Sequence, residues 1–285
     1  HHAVIDGWSE SIFVSELVTT YANLLRNTPT ELAKPALFAE YVRLERAARS
    51  DEDARGHFAR LSSHVPDRRR RGRTAATLRK ATATVSATDA DGLARRSAEW
   101  GVPVKSLLLT ACHATVGTLW TVEDPVIGLA VNGRPEVPGA DLTLGLFLNH
   151  LPVRFERSGA TWRAAAERAL HAETELLPYR RFPYAEIRDL IGGEPFEVSL
   201  NYMRFHARDE LLDAGLITAE EDMRDFTDLP ARVEAFDDPR GLGLVLQATV
   251  DVDRHEADLP ERIVRHMRAA IQAIVTEPHK EATIS

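Results

Sequence analysis

Cysteine is almost absent from this chain: one residue, Cys112, in 285. A single thiol closes no internal disulfide and offers no Cys pair to a zinc site, so neither staple is expected and a reducing cytoplasm is the expected compartment. Long hydrophobic runs are missing as well. No stretch approaches the ~18–20 apolar residues of a membrane helix, and no basic-then-apolar signal segment opens the chain, so no membrane role is expected. Basic residues are in deficit, 35 Lys and Arg against 43 Asp and Glu. The resulting charge of −8 argues against a chain-wide nucleic-acid or anionic-membrane binder. Repeats of solenoid type are lacking too. What remains is ordinary for a globular protein, with 44% hydrophobic and 27% charged residues. That balance excludes disorder, collagen-like repeats and coiled coil as descriptions of the whole. The length allows one large domain or two ordinary ones.

Periodicity then places the elements. Ile12, Phe13, Leu17, Tyr21, Leu24 and Leu25 recur at helical spacing between Ser9 and Asn27, with Ser9 as the expected N-cap. Residues 36–61 read as a second helical region. The stretch 62–74 (SSHVPDRRRRGRT) loses all periodicity and reads as a linker, its arginines solvated or, less simply, a dock for an acidic partner. Beyond it, 81–86 reads as a strand, 88–100 as a helix capped by Thr88 or Asp89, and 104–120 as a buried helix. Strands are expected at 125–131, 146–155, 196–205 and 244–252, and helices at 161–177, 184–191 and 260–275. Interleaved strands and helices make the fold class α/β or α+β. Cys112-His113 reads as core, because adjacent helical residues point about 100° apart.

The sharpest chemical signal is His1-His2-Ala3-Val4-Ile5-Asp6-Gly7-Trp8-Ser9. An imidazole titrates near neutrality and can take a proton from an attacking nucleophile, a nearby carboxylate can orient that region, and a glycine allows a close backbone approach. Two rivals attach to the His pair: the remnant of a purification tag, and a metal site that adds Asp6 as ligand. In the strand at 196–203, alternation sets Phe196, Val198, Leu200 and Tyr202 on one face and Glu197, Ser199, Asn201 and Met203 on the other. Ser199 and Asn201 either line a substrate tunnel or stand on the solvated face of an edge strand.

HHAVIDGWS resembles the HHxxxDG motif of condensation domains from nonribosomal peptide synthetases, in the wider chloramphenicol acetyltransferase-like superfamily. The order continues through Val126 to Arg134, then Gly145-Leu-Phe-Leu-Asn-His-Leu-Pro-Val-Arg154, similar to the family's fifth motif. Phe182-Pro-Tyr-Ala-Glu-Ile187 and Pro195 to Tyr202 are similar to the sixth, and Leu244 to Asp253 lies where a later strand motif would fall. Phe38-Ala-Glu-Tyr41 echoes the fourth only weakly. The resemblance implies a two-lobed acetyltransferase-like sandwich whose first lobe is incomplete in this chain, the elements before HHxxxDG being absent. Residues 1–65 would then be the rest of the first lobe, 66–75 the linker and 76–285 the second lobe.

By the same resemblance, the activity is amide formation between a carrier-bound acyl or peptidyl thioester and an amine, in the cytoplasm. Donor and acceptor carrier proteins are the implied partners. Phosphopantetheine belongs to those carriers, and no cofactor or metal is expected on the chain itself. His2 is the implied catalytic group, as base or positioning residue, and Gly7 the implied oxyanion donor through its backbone N–H. His1 is implied to be structural, and Asp6 is implied to pair with Arg134. Asp6-Gly7 argues against the heterocyclisation and epimerisation subtypes. Three alternatives stand beside this reading: an ester-forming or coenzyme A-dependent acyltransferase, a noncatalytic docking domain, and a metal-dependent hydrolase.

Overall fold

The computed structural model describes residues 4–65, 76–203, 229–238 and 243–284. His1, His2 and the basic stretch at 66–75 lie outside the described residues. Three helices come first: α1 (Gly7–Leu25), α2 (Phe38–Arg49) and α3 (Glu52–Ala59), the last continued by a short 3-10 turn, Arg60–His64. The expected cap of α1 is corrected. The helix starts at Gly7, and Asp6 is its N-cap, accepting a hydrogen bond from the Ser9 backbone N–H. Ser9 lies inside the first turn, because its hydroxyl is committed to distant partners described below.

The rest of the chain builds a mixed sheet. After β1 (Leu78–Ser86) come α4 (Ala87–Trp100), α5 (Val104–Trp120), β2 (Ile127–Asn132), β3 (Leu148–Val153), α6 (Trp162–Leu176) and α7 (Tyr184–Ile191). Then follow β4 (Val198–Met203), β5 (Ala231–Asp237), β6 (Gly243–Asp251) and the closing helix α8 (Leu259–Thr276). The sheet order is β1-β6-β5-β4-β2-β3, with β4 parallel to both β2 and β5 and the other pairs antiparallel. Ser86, not Thr88 or Asp89, caps α4: its Oγ accepts from Asp89 N–H and donates to the Asp89 carboxylate, so cap and third helical residue satisfy each other.

The core lies on one face of the sheet. Leu129, Leu200, Val233 and Ala248 sit in register across β2, β4, β5 and β6 and are all fully buried. α5 and α8 cover them. Every residue of α5 from Ser106 to Gly117 is buried, which is why its apolar pattern has no polar side. At ~1.5–3 kcal/mol for each fully buried leucine, Leu107, Leu108 and Leu109 alone contribute roughly 5–9 kcal/mol before entropy is counted. No single helix among the described residues is long and apolar enough to cross a membrane. Ala54 and Phe58 of α3 join this same core, so α3 is packed onto the sheet lobe.

The opposite face is polar. Ser199, Arg232 and Thr249 lie in one row across β4, β5 and β6, with Asn201, Glu234 and Gln247 on the same face one step along. Strand β4 is therefore an internal strand, which corrects the edge-strand alternative. Phe196 departs from the expected alternation as well. It precedes β4, and its ring lies over Gly128 on the polar face, packed with Val126 and Leu229. A Cβ on Gly128 would stand 2.3 Å from that ring, so glycine is required there for contact.

Candidate active site

The Asp6-Gly7 turn is held by residues of α1 and by residues more than 120 positions further along the chain. Asp6 caps α1 and is buried. Its Oδ1 accepts from Ser9 N–H at 2.8 Å, from Ser9 Oγ at 2.7 Å and from Arg134 Nη2 at 3.2 Å, while Oδ2 accepts from Phe147 N–H at 3.0 Å. The Asp6 backbone N–H donates to Gly145 O at 3.0 Å. A buried carboxylate without such partners would cost several kcal/mol. Here four donors converge on it.

Ser9 joins the two halves of this arrangement. Its hydroxyl accepts from Gly145 N–H at 3.0 Å and from Arg134 Nη2 at 2.8 Å, and it is placed to donate to Asp6 or to Gly145 O. Gly145 is a glycine for steric reasons: an added Cβ would meet the Phe38 ring at 2.4 Å.

Arg134 follows the β2 end. Its backbone N–H donates to the side chain of Asn132, and its Nη1 donates to Ala140 O at 2.8 Å and Thr143 O at 2.6 Å. The guanidinium carbon lies 4.0 Å from the Phe147 ring centroid, a cation–π contact. Phe38 and Tyr41 pack edge-on against the same ring. Burial presses the Arg134 guanidinium below its ordinary pKa, and the Asp6 carboxylate beside it pulls the other way. Burial, then the nearby Glu45, pushes the Tyr41 phenol up to about 12, so it stays neutral.

Two consequences follow for chemistry. Gly7 is the first residue of α1, so its N–H is among the four that no helical carbonyl can accept, at the positive end of the helix dipole. The chain leading into it is fixed by an ion pair and by backbone bonds to Gly145 and Phe147. A developing negative charge near Gly7 would meet a donor that is already oriented.

The other expected residues are placed elsewhere. Ser199 is level with Gly128, four residues before the β2 end at Asn132, about 13 Å at ~3.3 Å per strand residue. It is fully buried, and its Oγ has no hydrogen-bond partner among the described residues. Asn201 is partly exposed on the same polar face. No hydrogen bond among the described residues joins either to Asp6. Nearby, Arg232 pairs with Glu234 at 3.2 Å, and Gln247 donates to Glu234 at 3.1 Å. Burial first, then the Arg232 cation, lowers the His150 imidazole to about 4, so this ring on β3 is neutral. Among the described residues no group of three or more His, Cys, Asp or Glu could hold a metal ion.

Sequence reasoning missed the hydroxyl of Ser9, whose residue type suits a helix cap equally well, and the Ala140 and Thr143 carbonyls, which leave no side-chain signal.

The sequence profile described as "Condensation domain" matches residues 1–283. The chain belongs to the condensation domain family. Among condensation-family relatives, it is 35% identical over 221 residues to the AMB antimetabolite synthetase AmbE of Pseudomonas aeruginosa, covering 76% of this chain and 10% of AmbE. It is 26% identical over 162 residues to bacitracin synthase 3 of Bacillus licheniformis, covering 54% of this chain and 2% of that protein. The matched segments thus span a tenth or less of the length of these relatives. Among solved structures it resembles the first condensation domain of the calcium-dependent antibiotic synthetase, with TM-score 0.78 and 20% identity over 99% of this chain and 64% of that one. It also matches the four-domain nonribosomal peptide synthetase holo-AB3403 with TM-score 0.82 and 16% identity, over 99% of this chain and 23% of that one. These likenesses give the condensation-domain fold, an α/β arrangement of the acetyltransferase-like class.

Proposed function

We propose that this chain forms an amide bond between an acyl or peptidyl thioester on one carrier protein and an amine presented by a second. In this reading phosphopantetheine belongs to the carriers. The amine nitrogen attacks the thioester carbonyl, the tetrahedral intermediate collapses with loss of the C–S bond, and the amide and a carrier thiol are the products. His2, five residues before Gly7, accepts the proton of the attacking nitrogen and returns it to the leaving sulfur, or holds the amine in line. The Gly7 N–H donates to the oxyanion. Asp6 and Arg134 are structural: they fix the turn and do not touch substrate. His1 has a structural role in this reading, and Asn201 meets the substrate from the polar sheet face.

The observation that carries this reading is the closed network of Asp6, Ser9, Arg134, Gly145 and Phe147. It commits a buried ion pair to fixing a two-residue turn that follows a histidine pair after three residues in the sequence. Such a pair is weak evidence for stability and better evidence for a defined geometry.

The test is transfer from a carrier thioester to an amine and, in parallel, to an alcohol of the same skeleton. Amide formation that drops ~10²–10⁴-fold in His2→Ala is expected for a positioned base. Transfer to the alcohol alone would move the reading to an ester-forming acyltransferase, and an unchanged rate in His2→Ala would remove His2 from the chemistry.

A further inference from the structure

Arg181 lies just before α7, outside the residues that touch Asp6. Its Nε donates to Gly133 O at 2.8 Å, and its Nη2 donates to Arg134 O at 2.8 Å and to Glu136 Oε2 at 2.8 Å. One planar fork therefore grips two consecutive backbone carbonyls, those that set where the Arg134 side chain departs from the β2 end. Gly133 is held from the other side as well, since its N–H donates to Phe147 O at 2.8 Å. The fork itself is anchored. Asn149 Nδ2 donates to the carbonyls of both flanking residues, Arg180 at 3.1 Å and Phe182 at 2.8 Å, and Phe182 is fully buried.

We propose that Arg181 is a positioning residue for the reaction: it fixes the Gly133-Arg134 backbone, and through the Arg134 guanidinium it fixes the Asp6-Gly7 turn. The path is continuous. Arg134 Nη1 holds the carbonyls of Ala140 and Thr143, and between them Asp141 O accepts the indole N–H of Trp8, the residue after Gly7, at 2.9 Å. Loosening Arg134 thus frees both the carboxylate that caps α1 and the loop that holds the next side chain. Lysine at 181 cannot replace the fork, because one ammonium nitrogen cannot reproduce the planar, two-nitrogen geometry. Glu136 is 67% exposed, so its share is an ordinary surface pair of small worth.

The kinetic arm of this proposal rests on the amide-forming reading above; its structural arm does not. The experiment follows the indole N–H signals of the four tryptophans of the full chain by NMR hydrogen exchange, beside steady-state kinetics, in Arg181→Lys, Arg181→Gln and Glu136→Gln. In Arg181→Lys the Trp8 indole should exchange about tenfold faster, while that of Trp162, 1% exposed on α6, stays within about twofold. The value of kcat should fall about 10–100-fold with KM nearly unchanged, the mark of a misplaced reacting group. Arg181→Gln should do at least as much, and Glu136→Gln should match the parent in every readout. Unchanged Trp8 exchange overturns the relay. So does equal acceleration at Trp162, which would mean a fold-wide loss, or Glu136→Gln reproducing Arg181→Lys. Faster Trp8 exchange with kcat intact or with only KM raised overturns the role in the reaction. If the parent chain makes no amide, the activity reading fails, and the exchange data still decide whether Arg181 controls the turn.

Discussion

Coupling between Asp6 and Arg134 can be measured directly, and its size follows from their surroundings. Both side chains are 7% exposed, with Oδ1 and Nη2 3.2 Å apart. Asp6→Asn keeps the shape but sets an amide NH2 against donors whichever way it turns: three donors face Oδ1, and the Phe147 N–H faces Oδ2. It also leaves the guanidinium buried without its counter-charge. Breaking one side of such a pair costs ~3–5 kcal/mol. Arg134→Met keeps the stem against Phe147 and strands the carboxylate instead, at a similar cost of about 3–5 kcal/mol. In the double variant no charge is stranded, so its cost should fall short of the sum of the singles by about 2–3 kcal/mol. Urea unfolding of the four proteins, followed by tryptophan fluorescence, gives all the values in one series. Since domains carry ~5–15 kcal/mol in total, either single variant should show a visibly lowered midpoint at unchanged slope. Additivity within about 0.5 kcal/mol would refute the claim that the pair is energetically coupled.

Other outcomes are equally specific. Ser9→Ala should cost about 1–3 kcal/mol, because it strands the buried Gly145 N–H and one Arg134 donor; a midpoint shift under about 0.3 kcal/mol would mean the hydroxyl is dispensable. Gly145→Ala should destabilise by about 1–3 kcal/mol through the collision with Phe38, and Phe38→Ala placed on top should recover part of that loss in the same unfolding assay. Acid should weaken the fold early. His113 is held at about 3, by burial and then by the Arg157 cation, and His150 at about 4. Both lie below the ordinary value of 6.5, so the unfolded chain binds protons that the folded one refuses. Stability is full above pH 6.5 and is lost as pH falls toward 4, at up to about 1.4 kcal/mol per pH unit for each group. His113→Gln should flatten the slope between pH 6 and 5 by about one such increment; an unaltered slope would mean that His113 is not buried neutral.

Much of the fold was legible because its elements obey their periods. The observed bounds of α5 and α7 coincide with the expected ones, and α6 and α8 begin and end within one residue of theirs. Strand β5 was overlooked. Its sequence, ARVEAFD, alternates correctly, yet two of its three inward residues are Ala231 and Ala235, fully buried but too small to register as an apolar pattern. The internal place of β4 was hidden for a related reason. Alternation of Val198, Ser199, Leu200 and Asn201 reads as a half-solvated strand, whereas the polar residues here face a row of other polar residues in β5 and β6. Whether Ser9 caps α1, as expected, is not decidable locally, since serine caps well. Gly145, 136 residues away, decides it by claiming the Ser9 hydroxyl.

The site was legible only where its partners are side chains with a fixed order. Asp6 and Arg134 stand 128 positions apart, a distance no periodicity spans, and it was the order of family-like segments that matched them. Arg181 lacked even that clue. An arginine that pairs with an acid leaves a complementary charge to find, but two of the groups Arg181 grips are backbone carbonyls, which every residue supplies. Arg157 behaves alike, donating to the carbonyls of Ala282 and Glu123. A guanidinium suits this use because its donors diverge in one plane and it stays charged when partly desolvated. Where buried or partly buried arginines organise loops through the main chain, neither net charge nor motif spacing records them. Their effect is visible only once the loops are folded, and in this chain the loop so organised is the one that fixes the Asp6-Gly7 turn.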